Sequence, residues 1–175
     1  MMAKKNIVYI IGFMGSGKST AGKKLATHLA WSFIDLDKKI EEHDARTIPE
    51  IFSQNGEDYF RDIEAQILRK LKSCSNTVIS TGGGAPCFNN NMDFMIETGL
   101  TLYLKLSPAE LKSRLSESKG DRPLIKGLDP SELQSYIEEK LAIREKFYSR
   151  SDITVEGINL DINLLLSLVK SRLNI

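Results

Sequence analysis

The chain has 175 residues, 41% of them hydrophobic and 27% charged, a balance that fits one soluble globular domain with a full core. Its 24 Lys+Arg and 23 Asp+Glu nearly cancel, so no global basic field points to a nucleic-acid partner, while a small anionic substrate stays open. No apolar run is long enough for a bilayer, and Gly12 interrupts the run that follows Lys4 and Lys5, so neither a membrane anchor nor a signal peptide fits and a cytoplasmic protein is expected. Cys74, Cys87, His28 and His43 lack the close spacing of a zinc site or redox pair.

In chain order, Ile7-Val8-Tyr9-Ile10-Ile11 is a short β-branched run suited to a strand buried on both faces. Gly12-Phe13-Met14-Gly15-Ser16-Gly17-Lys18-Ser19 follows and matches the phosphate-binding pattern G-x-x-x-x-G-K-[ST] without a gap. Ala21, Leu25, Ala26 and Leu29 then recur at helical spacing, so the loop opens a helix whose N-terminus adds to the anion site. Trp31 to Ile34 reads as a second strand ending at Asp35-Leu36-Asp37, with a helix opening over Lys38 to His43. Thr47-Ile48-Pro49-Glu50 is a capping box, Gly56 is placed as a terminator, and a further helix is expected from Glu57 to Leu71.

Thr77 to Ser80 forms a third strand that runs into Gly82-Gly83-Gly84. Met92 to Thr98 suits a short helix, Leu100 to Leu106 a fourth strand, and Ser107-Pro108-Ala109-Glu110 another helix start. The charged stretch Glu117 to Leu128, with Gly120, Pro123 and Gly127, reads as a mobile loop. Asp129-Pro130-Ser131-Glu132 starts a helix to Tyr148, Ile153 to Val155 is a fifth strand, and Leu160 to Leu173 a closing helix. Strands alternating with helices predict an α/β fold, a five-stranded parallel sheet covered on both faces, with ligands beyond the strand ends.

Three strand ends should therefore converge on one cleft. In the phosphate loop, Gly15, Ser16, Gly17 and Thr20 would cradle phosphates with their backbone, Lys18 would reach the β- and γ-phosphates, and Ser19 would hold Mg²⁺. Asp35 and Asp37, at period two on an extended backbone, would point to the same side, one serving the metal and one the acceptor. Three consecutive glycines exceed what a turn needs and suit close approach of backbone to a ligand. Arg61, with Glu64 three residues on, reads as an exposed helix ion pair or an anion ligand; spacing leaves Arg122 and Arg144 equally open, with Arg122 a candidate lid arginine.

The ordered set of motifs resembles the shikimate kinases, small phosphate-loop enzymes related in fold to the nucleoside monophosphate kinases. The resemblance runs from about Asn6 to Asp152 through Gly12–Thr20, Phe33–Asp37, Ile48–Phe52, Gly56–Glu57, Phe60-Arg61 with Glu64, Gly82–Gly84, Arg122–Leu124, and Arg144 with Tyr148. It implies a monomeric cytoplasmic kinase that uses ATP and Mg²⁺ to phosphorylate the 3-hydroxyl of shikimate in aromatic amino acid biosynthesis. The whole chain, 1–175, would be one kinase domain with a lid at about 117–128 and acceptor-binding helices at about 38–71.

By the same resemblance, Asp37, Arg61, Gly83 and Arg144 fall at shikimate-binding positions, Gly82 and Gly84 shape that pocket, and Phe52 and Phe60 line it. Ser19 falls at the magnesium ligand, with Asp35 acting through water, and Lys18 and Arg122 at phosphate-stabilising positions. Arg114 lies near the adenine-stacking position, and residues around Gly157 to Asn159 are candidates for adenine contact. Ala45 departs from the pattern where glycine is common, and Ser151 where alanine is. The rivals are another small-molecule kinase such as a gluconate kinase, against which the glycine triplet with Arg61 argues, and a nucleoside monophosphate kinase, whose lid carries more arginines than 117–128. A nucleotide-binding module without turnover is the third, disfavoured by the presence of both Asp37 and Arg122.

Overall fold

Strand β1 (Ile7–Ile11), buried at every position, is the middle of an all-parallel sheet of order β2-β3-β1-β4-β5. Its companions are β2 (Ser32–Asp35), β3 (Thr77–Ser80), β4 (Leu100–Lys105) and β5 (Ile153–Glu156). This computed structural model describes residues 6–117, 123–157 and 159–175. Tyr9 faces Ile79 on one side and Thr101 on the other, so the register aligns the carboxyl ends of β1, β3 and β4 along one edge. Because the chain fills β2 and β3 before crossing β1 to β4, that edge also carries the reversal in strand order where ligands collect.

The alternation of side chains along β1 divides the core. Ile7, Tyr9 and Ile11 pack into one layer with α2 (Leu36–Asp44), α3 (Ile48–Lys70), α4 (Asn91–Thr98) and the end of α6 (Pro130–Tyr148). Val8 and Ile10 pack into the opposite layer with Ala21, Leu25 and Ala26 of α1 (Lys18–Leu29) and Leu165 and Val169 of α7 (Ile162–Leu173). A third cluster, centred on Phe13, Leu111 of α5 (Pro108–Glu117) and Ile137, closes the end beyond β1. The predicted starts are realised: Thr47 with Glu50 and Asp129 with Glu132 form reciprocal capping boxes, and Ser107 pairs with Glu110 in the same way.

One local expectation is corrected. Strand β2 stops at Asp35, whose carboxylate accepts from Lys38 N and so caps α2; Leu36 is already helical, and Asp37 sits in the first helical turn instead of two steps along a strand. Gly56 ends a helix, as its placement as a terminator predicts: its φ 79°, ψ 178° is non-helical, and a second helix starts at once, so α3 is two helices joined at a sharp kink that needs glycine for its positive φ. Arg122, the candidate lid arginine, lies outside the described residues, as do 118–121 of the loop; Pro123–Ile125 form one 3₁₀ turn. Among the described residues, no helix is long and apolar enough to cross a membrane.

Ala45 closes α2 in the left-handed region, φ 59°, with its N–H donating 2.9 Å to Glu41 O. A Cβ in this conformation costs roughly 1–2 kcal/mol, part of which glycine returns as unfolded-chain entropy. Ala45→Gly is therefore expected to raise the unfolding free energy by about 0.5–1 kcal/mol in urea titration, and Ala45→Val to lower it.

Candidate active site

The loop after β1 curls around the start of α1. Gly15 (φ 80°) and Gly17 (φ 89°) turn the backbone through the left-handed region, and Ser16 N donates 3.2 Å to Phe13 O to close the curl. Gly17 caps α1 without any side-chain bond, so no cap takes up the amides of the first turn, the arrangement that binds anions. Lys18, buried, donates from Nζ to Phe13 O at 2.9 Å and is held over the loop. Ser19 Oγ donates to Asp35 Oδ2 at 2.9 Å and lies 3.2 Å from Ser80 Oγ, so three hard oxygens from three elements meet beside the loop.

This loop forms one end of an 820 Å³ cleft, at the upper end of the range for ligand sites. Its other end is built from both sides of the Gly56 kink: Ile48 and Phe52 come from before it, Phe60, Arg61 and Glu64 from after it, and the Phe52 and Phe60 rings meet at 4.7 Å. Of the two readings of Arg61 with Glu64, the exposed ion pair is excluded, because the pair is buried. Arg61 Nη1 donates to Glu64 Oε2 at 2.9 Å with Glu64 0% and Arg61 9% exposed, and Glu57 Oε1 accepts from Arg61 Nε and Nη2. The pair is hidden because α3 lays this face against the glycine turn after β3.

The glycine triplet owes its composition to that contact. A Cβ on Gly84 would stand 2.5 Å from Arg61 Nη2, one on Gly82 2.9 Å from Asp37 Oδ1, and one on Gly83 3.2 Å from Met14 N and 3.3 Å from Arg144 Nη1. Any side chain there would push the charged groups out of the cleft. Gly83 O also accepts from Tyr148 Oη at 2.5 Å, which ties the turn to the end of α6. Arg144, one turn earlier on α6, is 9% exposed, lies with its guanidinium 5.3 Å from the Phe13 ring, and has an Nη1 without a hydrogen-bond partner among the described residues. A buried guanidinium nitrogen left without an acceptor and lining a cleft is a place for an anionic ligand.

Burial also shapes the acids. Asp37 is pushed up to about 6, chiefly by desolvation and then by the Asp35 charge, against the pull of Lys18 and Arg61. Glu64 is pushed up to about 7 by desolvation, with Arg61 opposing, and its Oε1 has no partner among the described residues. Two carboxyls that titrate near neutrality, facing two guanidinia and an ammonium, make a site able to hold an anion and to orient or accept a proton.

The structure thus brings Gly15, Gly17, Lys18, Ser19, Thr20, Asp35, Asp37, Arg61, Gly82, Gly83, Gly84 and Arg144 to one cleft, while the Ser16 side chain is buried behind the loop. Arg114 lies at the rim over the loop, its Nη1 3.4 Å from Gly15 O, and Gly157 N donates to Lys105 O away from the cleft lining. Sequence reasoning missed two things: the burial of Glu64, and Phe88, whose ring lies 4.2 Å from the Arg61 guanidinium.

Comparison with known proteins gives the same picture. The shikimate kinase family model matches residues 14–164. A curated shikimate kinase of Parabacteroides distasonis is 45% identical over 150 residues, covering 86% of this chain and 87% of that protein. The crystal structure of shikimate kinase from Bacteroides thetaiotaomicron superposes with a TM-score of 0.90 at 37% identity, covering 97% of this chain and 99% of that one. Shikimate kinase from Acinetobacter baumannii, solved in complex with shikimate, superposes with a TM-score of 0.85 at 31% identity, covering 98% and 95% of the two chains. With its phosphate loop, its glycine turn and its buried arginines in one cleft, this chain belongs to the shikimate kinase family.

Proposed function

We propose that the chain transfers the γ-phosphoryl group of ATP to the 3-hydroxyl of shikimate, forming shikimate 3-phosphate and ADP for aromatic amino acid synthesis, as a cytoplasmic monomer whose 175 residues are one kinase domain. The observation that carries this reading is the meeting of Gly82–Gly84 with Asp37, Arg61 and Arg144 in the same cleft as the phosphate loop. A relative of the same fold that holds shikimate supports it.

The acceptor carboxylate is planar and anionic, which suits paired N–H bonds from Arg61 and Arg144, the latter offering its unpartnered Nη1. Asp37, on the first turn of α2, orients the ring hydroxyl and takes up its proton as the oxygen bonds to the γ-phosphorus and the bridging bond to ADP breaks. Because phosphoryl transfer has a loose transition state, charge and positioning dominate: the amides of Gly15 to Thr20 hold the phosphates, and Lys18 and Arg122 neutralise the transferring group. Arg122 takes this role from its place in the family motif, in a lid at about 117–128; the acceptor wall is α2 and α3.

A magnesium ion fits the oxygens beside the loop. Ser19 and Asp35 supply hard oxygen donors with Ser80 close by, the kind of ligand set that suits magnesium. When bound, the ion would neutralise phosphate charge, with Ser19 and Asp35 as the residues that would hold it.

ATP consumption measured in parallel with shikimate, gluconate and nucleoside monophosphates tests the reading; turnover with gluconate and none with shikimate would overturn it, and no turnover with any acceptor would point to a binding module. Lys18→Ala is expected to abolish turnover, whereas Arg61→Ala should raise the acceptor KM roughly tenfold to a hundredfold and leave the ATP KM unchanged.

The raised acids set the pH dependence. Acceptor kcat/KM should climb as pH rises through about 6 to 7 and then level, with apparent ionisations that belong to the Asp37–Glu64 pair. A carboxyl whose folded value is raised favours the fold most when neutral, so its stabilisation is present at low pH and lost as pH rises through about 6. Asp37→Asn should therefore melt higher than the parent at pH 8, with the gain vanishing near pH 4, while losing most of its turnover.

A further inference from the structure

Phe88 is a large apolar side chain left 37% exposed beside the cleft, and it belongs to none of the three core clusters. Core packing therefore does not explain it. Its ring centroid lies 4.2 Å from the Arg61 guanidinium carbon, nearer than the Phe60 ring at 5.1 Å, which is cation–π stacking distance.

The loop that carries Phe88 is built to hold it there. After the 3₁₀ turn Ala85–Cys87, Asn89 and Asn90 both take left-handed backbone, φ 51° and 55°, a conformation that asparagine tolerates better than most residues. Asn89 Nδ2 donates 2.9 Å to Arg61 O, the backbone of the very residue whose side chain Phe88 covers. Arg69, two turns further along α3, donates to Asn89 O at 2.6 Å and to Asn91 Oδ1 at 2.8 Å, and Asn91 Nδ2 returns to Ala85 O at 2.9 Å. The loop is thus clamped to α3 directly after Phe88 and closed on itself across Phe88 by the Asn91–Ala85 bond.

Arg61 needs such a clamp. Of its five N–H groups, three donate to Glu57 and Glu64, which leaves one on each terminal nitrogen for a ligand. A guanidinium fork recognises a planar carboxylate only if its plane is fixed, and the two glutamates restrain its edge without fixing its face. We propose that Phe88 is a positioning residue for the phosphoryl acceptor: its ring fixes the Arg61 plane so that the remaining N–H groups meet the acceptor carboxylate. The proposal rests on the reading of Arg61 as a carboxylate ligand.

Calorimetric titration of the full chain with shikimate, and separately with ADP, tests it. Phe88→Ala should weaken shikimate binding about three- to tenfold, the size of one partly exposed cation–π contact, with ADP binding within twofold of the parent. Phe88→Tyr, which keeps the ring, should bind within twofold of the parent, and Phe88→Leu, which keeps bulk without a π face, should resemble Phe88→Ala. Parent-like shikimate affinity in Phe88→Ala or Phe88→Leu would overturn the proposal, as would equal losses for shikimate and ADP. Arg61→Ala separates the two levels: parent-like affinity in that variant removes the Arg61 assignment itself, whereas weakened binding there with parent-like Phe88→Ala removes only the stacking role.

Discussion

A carboxylate without water is the constraint around which this cleft is organised. Glu64 is fully buried, and only the Arg61 guanidinium 2.9 Å away makes its charge tolerable. Burying such a pair costs desolvation that its mutual attraction repays only with good geometry, so both ends are hemmed in: Arg61 by Glu57, Phe60 and Phe88, Glu64 by the glycine turn. The cost falls on Asp37 as well, whose own ionisation is opposed by the same low dielectric and by the neighbouring acids. Well-packed apolar groups of similar volume would carry no such desolvation cost, so the pair is better accounted for by chemistry than by stability.

The two halves of the cleft rest on different physics. The end at the phosphate loop is backbone: helical amides and a lysine held to Phe13 O, a site whose geometry follows from the strand–loop–helix connection. The end at the glycine turn is side chains, drawn from α2, α3 and α6 and brought together because Gly82–Gly84 offer no side-chain atoms to collide with. Asp35 joins them, capping α2 while accepting from Ser19, so one carboxylate links the start of α2 to the start of α1.

Much of this was legible in the chain itself, because local chemistry decides it. The phosphate loop, the capping boxes at Thr47 and Asp129, and the period-two core of β1 each depend on neighbours within a few residues. Where tertiary contact decides, the chain is less legible. The usual exposure of glutamate favours a surface Glu64, although Phe60, Ile63, Ile67 and Leu68 place it inside an apolar stripe at helical spacing. Period two suits paired carboxylates on a strand, but the capping preference of Asp35 ends that strand before Asp37. Phe88 carried no local signal at all, since its partner lies 27 positions earlier and only the clamped loop brings the two together.

The break at Gly56 has a geometric reach beyond its own torsions. Phe52 and Phe60 are eight residues apart, which on an unbroken helix means about 12 Å of rise and about 80° of angular offset. Their rings nonetheless touch, because α3 is two levers joined at a single backbone joint. The span between the levers, and with it the width of that end of the cleft, therefore depends on one pair of dihedral angles as well as on side-chain bulk. A chain built this way can reshape one end of its cleft at a single hinge residue while the sheet and α1 stay as they are.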